Sequence, residues 1–152
     1  MTIAQRLAEL GITLPEPAAP VAAYVPAVRA GNMLHISGQL PFDAGQLMTG
    51  RLGEDRDLAY GAAAARACGI MLLAQIQAAA GLDNVERIVK LGVFVCSAPQ
   101  FTDQPKVANG ASELMQDVFG EIGRHARSAV GVPVLPLGAA VEIDAVVALK
   151  AD

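Results

Sequence analysis

The stretch Ala126–Lys150, ARSAVGVPVLPLGAAVEIDAVVALK, decides the fold. Its second half alternates without a break. Ala139, Val141, Ile143, Ala145, Val147 and Leu149 fall on one face, and Ala140, Glu142, Asp144, Val146, Ala148 and Lys150 on the other. Period-two alternation in a segment rich in β-branched residues predicts a strand with one buried face. Ser128–Val132 reads as a shorter strand, and the PVLPLG turn is expected to join the two as an antiparallel pair. Arg127 opens the first strand and Glu142 sits early in the second. Folding the pair is expected to bring these two charges to the same end of one sheet.

Outward from this stretch, the chain reads as α-ββ-α-β-α-ββ. Thr2–Leu10 is a short amphipathic helix stopped by Gly11, and residues 13–20 form a proline-rich extended arm. Residues 21–30 read as a strand, with Pro26 pointing to an edge or bulge. Gly31-Asn32 is a turn into a returning strand over Met33–Ser37. The glycine-rich run from Gly38 to Asp57 reads as a surface loop. Leu58–Ala80 is the longest helix, with Asp57 as N-cap and Gly81 as its stop. Val85–Ser97 is a strand, and Lys106–Phe119 a second long helix with Val107, Ala111, Leu114 and Val118 in one stripe. The expected fold is α+β: a mixed sheet with both long helices on one face.

At 152 residues the chain is long enough for one domain, taken as residues 21–152, preceded by the helix and arm of residues 1–20. Hydrophobic residues make up 53 % and charged residues only 17 %, an apolar surplus that predicts subunit interfaces over the uncovered sheet face. No unbroken apolar run is long enough to span a membrane, and the polar residues Gln5, Arg6 and Glu9 argue against a secretory leader. A cytoplasmic location is expected. The net charge of −4, scattered basic residues and few aromatic side chains argue against nucleic acid as the main partner. Cys68 and Cys96 read as core residues. With His35 and His125 isolated, no metal set can be assembled, and without a phosphate loop or dinucleotide fingerprint no cofactor is expected.

By chemistry alone, Arg127 offers a planar fork for a carboxylate or a loose surface ion pair. Glu142 is either a desolvated base for water or a solvated strand residue. Tyr24 is a ligand wall or a core ring. Ser37-Gly38 presents open backbone amides or an ordinary turn. Asn109 lies on the second long helix, where solvation is the commoner fate.

The segment AYVPAVRAGNMLHISGQLP, Ala23–Pro41, resembles the N-terminal signature of the Rid family, the YjgF-like reactive-intermediate deaminases formerly called endoribonuclease L-PSP. The tail ARSAV…LP…AAVEIDAVV resembles that family's C-terminal signature, and GLDNVERIVKLGVFV its central strand. The likeness runs from Val21 to Lys150. It implies a chorismate-mutase-like fold, a homotrimer with sheets packed inward, and ligand sites between subunits. It also implies hydrolysis of 2-enamine and 2-imine acids to 2-keto acids and ammonia. Carried over by position, Arg127 matches the carboxylate-binding arginine, Glu142 the acid that positions water, and Tyr24 a tyrosine lining the cleft. Ser37, Gly38 and Asn109 match residues beside the ligand. Ala129 stands where many members carry cysteine, so thiol chemistry has no place there, and Gly131 stands where an acidic residue is common. The alternatives are a non-catalytic trimeric binder of small carboxylic acids and, less favoured, an endoribonuclease.

Overall fold

The computed structural model describes residues 1–20 and 22–152. Among the described residues, three α-helices, α1 (Ile3–Glu9), α2 (Leu58–Ala79) and α3 (Gln104–Phe119), accompany seven strands. These are β1 (Ala27–Ala30), β2 (Met33–Gln39), β3 (Phe42–Asp43), β4 (Gln46–Leu47), β5 (Val85–Cys96), β6 (Ala126–Val132) and β7 (Val141–Leu149). Five strands form a mixed sheet in the order β1-β2-β7-β5-β6, and β3-β4 is a separate hairpin. All pairs in the large sheet are antiparallel except β5-β6, which α3 connects as a parallel crossover.

Local chemistry explains the element ends. Thr2 and Gln5 close a reciprocal capping box on α1. The Asp57 side chain accepts from the Tyr60 amide at the start of α2, and left-handed glycines follow α2 at Gly81 and α3 at Gly120. α2 is long and apolar enough to cross a membrane by length and composition, but it is mostly buried within the fold. α2 and α3 pack side by side over one sheet face. At their crossing, a Cβ on Gly110 would collide with the Ala62 carbonyl oxygen, so only glycine permits that approach.

The core lies between this helical layer and one face of the sheet. Leu34, Ile36, Leu91, Val93, Val95, Val141, Ile143, Val147 and Leu149 are buried there, together with the inner sides of α2 and α3. β7 alternates buried and half-buried along its whole length, as its sequence period requires. Cys68 and Cys96 are buried and unpaired. The arm before β1 is fixed by a buried amide contact: Gln75 Nε2 donates to the Ala18 carbonyl at 3.0 Å and to Gln39 Oε1 at 3.3 Å.

Three sequence expectations need correction. β6 and β7 are not a hairpin: β5 inserts between them, parallel to one and antiparallel to the other. The strand expected over residues 21–30 begins only at Ala27; Tyr24 lies in bent backbone before it, and Val21 is outside the described residues. The loop after Gly38 contains the β3-β4 hairpin, whose turn residues Ala44 and Gly45 have φ of 50° and 79°.

Candidate functional site

Strand parity sorts the candidate residues into two groups. Arg127 pairs with Leu91, whose side chain is on the helix side of the sheet, whereas Glu142 pairs with Phe94 on the open side. The two charges are therefore on opposite faces with β5 between their strands. The expectation of one shared end rested on an adjacent β6-β7 pair; with β5 between them, Arg127 is level with Leu91 and Glu142 with Phe94, on opposite faces of the same sheet.

The first group surrounds Arg127 on the edge strand β6. Its Nη1 donates to Asn109 Oδ1 at 2.9 Å and to Ser112 Oγ at 3.0 Å, and its Nη2 donates to the Pro105 carbonyl at 3.2 Å. Asn109 and Ser112 are three residues apart on α3 and so share a helix face. Among the described residues, Nε–H and one Nη2–H have no acceptor, which leaves donors for a carboxylate. Ala129 follows on the same face, half-buried against the core. Behind Arg127, His125 Nε2 is 2.8 Å from Ser112 Oγ, and His125 Nδ1 is 2.7 Å from the Gly123 carbonyl.

The second group is on the open face and the turn beside it. Glu142 lies over Gly38, so closely that a Cβ there would collide with its carboxylate. Asp144 lies over Gly92 in the same manner. The two carboxyls follow each other on one face of β7, half-buried. Burial first, and then the neighbouring Asp144 charge, push the Glu142 carboxyl above its ordinary value. Burial likewise raises Asp144, against the lowering effects of the Gly92 backbone and of Lys90. Ser37 Oγ donates to the Val25 carbonyl at 2.8 Å, which ties its hydroxyl to the backbone before β1. Tyr24 and Gly38 border a hollow of about 110 Å³ whose other walls include Ala18, Ala19, Phe42 and Leu137. Tyr24, Ser37, Gly38 and Glu142 thus gather in one region, and Arg127, Asn109 and Ala129 in another. A larger cavity of about 590 Å³, lined by Arg51, Ser97, Gln104 and Pro133 among others, contains none of the seven residues named from the sequence.

Sequence reasoning assigned no role to Ser112, His125 or Asp144. A signal existed for the first two. Asn109 and Ser112 have helical i, i+3 spacing, and His125 is two residues before Arg127 on the approach to β6, an alternation that returns to one side of the chain.

Residues 4–149 match the family described as YjgF/chorismate mutase-like, putative endoribonuclease. Protein TCP17 of Trypanosoma cruzi is 57 % identical over 151 residues, covering 97 % of this chain and 94 % of that one. A 2-iminobutanoate/2-iminopropanoate deaminase of Dermatophagoides farinae is 27 % identical over 141 residues, covering 91 % and 95 %. Among solved structures, the protein Atu1372 of Agrobacterium tumefaciens, whose function is unknown, superposes with a TM-score of 0.90 at 47 % identity, covering 98 % and 92 %. By the extent of the family match and by its architecture, this chain belongs to the YjgF/chorismate mutase-like family.

Proposed function

We propose that the protein hydrolyses 2-enamine and 2-imine acids to 2-keto acids and ammonia in clefts completed between copies of a homotrimer. Arg127 of one copy grips the substrate carboxylate, and Glu142 of a neighbouring copy orients and deprotonates water. The observation that carries this reading is the division of the site. A cation with spare donors stands at a sheet edge, where a second copy can be brought against it, and the carboxylate with a raised pKa lies on the opposite, uncovered face. The relative named as a 2-iminobutanoate/2-iminopropanoate deaminase supports the same chemistry. A nucleic-acid substrate fits less well, because Glu142 and Asp144 place two acidic groups side by side on the open face, where they would repel phosphates.

The chemistry follows from the groups available. An enamine first tautomerises to the imine, which reacts as its iminium. Water adds to the iminium carbon as Glu142 takes its proton, and Glu142 passes that proton to the nitrogen of the resulting carbinolamine. Ammonia leaves as the carbinol hydroxyl gives its proton to the freed carboxylate and becomes the ketone. A carboxyl whose pKa lies above the usual range can return the proton it takes. The carboxylate of the substrate stays on Arg127 throughout.

The test is the appearance of 2-keto acid from freshly generated 2-iminopropanoate and 2-iminobutanoate, measured against a control without protein. Wild type should exceed the control, and Glu142→Gln should lose roughly 10²–10⁴ of that excess, the share usual for general acid–base catalysis. The variant should still bind 2-keto acids, since Arg127 is untouched. Keto-acid binding by a wild type with no excess turnover would instead make the protein a carboxylic-acid carrier. A stable monomer in sedimentation would rule out a site shared between copies.

A further inference from the structure

We propose that Ser112 and His125 are positioning residues for Arg127, joined in a one-way chain of hydrogen bonds that fixes the guanidinium for a ligand carboxylate. The inference rests on the reading of Arg127 as the carboxylate clamp.

The direction of the chain follows from the chemistry of its last member. The Gly123 carbonyl can only accept, so His125 Nδ1, 2.7 Å away, must carry a proton. In the neutral ring Nε2 is then an acceptor, and Ser112, 2.8 Å away, must donate its hydroxyl proton to it. That commitment turns the Ser112 lone pairs towards Arg127 Nη1, which donates to Oγ at 3.0 Å. Asn109 Oδ1 takes the other Nη1 proton, so rotation of the guanidinium about its own bonds is blocked from two sides. The half-buried setting agrees with a neutral imidazole: burial first, and then the Arg127 charge, lower the His125 pKa, against the effect of the Gly123 hydrogen bond. Arg87, Arg124 and Glu121 line one pocket together with His125.

A nucleophilic serine is the other use of a Ser–His pair, and the geometry argues against it. Ser112 is only 6 % exposed, and its oxygen is already held by the guanidinium. An attacking hydroxyl needs an open approach to its substrate.

Three measurements on the full chain test the proposal. Nitrogen NMR of His125 should show the Nδ1–H tautomer; the Nε2–H tautomer would overturn the direction of the chain. Rotation of the Arg127 Nη groups, followed by NMR without any ligand, should be slow in wild type and in His125→Gln, which keeps an acceptor for Ser112. It should be faster in Ser112→Ala and His125→Phe. Unchanged rotation in both of those variants would overturn the proposal, whether or not the protein binds 2-keto acids. Affinity for 2-oxobutyrate, measured by calorimetry, should fall about tenfold in Ser112→Ala and in His125→Phe and no further in the double variant, because both cut one chain. Binding of the uncharged 2-oxobutyramide should not change. Equal losses for acid and amide would mark general damage and overturn the proposal. Failure of wild type itself to bind the acid would count against the functional reading, while the NMR results still decide the positioning role.

Discussion

The two faces of the five-stranded sheet are made by alternate residues of the same strands, yet they do different work. On the helix side, Val141, Ile143, Val147 and Leu149 of β7 and Leu91 and Val93 of β5 are buried in one core with residues of α2 and α3. On the open side, the intervening residues Glu142 and Asp144 lie over Gly38 and Gly92, half-buried and with raised pKa values. One face is filled to close packing, and the other keeps small residues beneath its carboxyls. Stability is therefore concentrated on one parity of the sequence, and chemistry is free to occupy the other.

The largest effect should come from the packed face. Ile143→Ala is expected to destabilise the fold by about 2–5 kcal/mol, the usual cost of emptying a core site. Denaturant unfolding checks this; a cost below that of Glu142→Gln, its neighbour on the open face, would break the comparison.

Arg127 asks whether the division is by face or by strand, since it is on the helix side but at an edge. Arg127→Lys should leave unfolding almost unchanged and weaken 2-keto acid binding by about 1.5–3 kcal/mol, the worth of a hydrogen bond to a charged group. Calorimetry of binding and a thermal melt separate the two quantities.

Two glycines sharpen the contrast further. Gly110→Ala places a methyl against the backbone of α2, an obstacle that cannot rotate away. Overpacking of this kind costs about 1–3 kcal/mol, partly offset by the roughly 1 kcal/mol that alanine gains in a helix, so a net loss of stability is expected. In Gly38→Ala, the atoms nearest the new methyl belong to the flexible side chain of Glu142. It should displace that carboxyl and depress turnover while the melting temperature moves little.

The smallest effect is on pH dependence. Folded pKa values of Glu142 and Asp144 lie above their unfolded values, so the native state holds more protons than the unfolded chain in the window between them. These groups oppose folding at neutral pH, and the opposition is relieved as pH falls through their folded values towards the ordinary carboxylate range. A Glu142→Gln/Asp144→Asn double variant should therefore melt above wild type at pH 7, and the gap should narrow towards pH 4. A gap independent of pH would assign it to packing instead.

How much of this was legible in the sequence depended on the range of the interaction concerned. The period of β7 and the caps of α2 are local, and both were readable, because alternation and an N-cap aspartate act within a few residues. The partners of β7 were not. PVLPLG looks like a connection between adjacent strands, and nothing within it records that β5, from far upstream, enters the gap. The β3-β4 turn escaped because Ala44, at φ 50°, occupies a conformation in which glycine or asparagine is the usual signal. Arg127 and Glu142 were visible as residue types, but the face of each depends on register with β5. Ser112 and His125 each share a spacing with Asn109 or Arg127, but their pairing with each other was hidden because it joins a helix to the chain beyond it.

The position of β7 also sets an order of events for folding. It follows every other strand in the chain, yet it occupies the middle of the sheet between β2 and β5. Until it emerges from the ribosome, β1-β2 and the β5-α3-β6 unit have no strand to join them, and each waits with an unpaired edge. Its pairings with β2 span more than a hundred residues, a loop closure that slows folding and lengthens the exposure of those edges. Val141–Leu149 thus acts as a late keystone, and a ribosome stalled shortly before it would leave two aggregation-prone halves rather than a nearly finished domain.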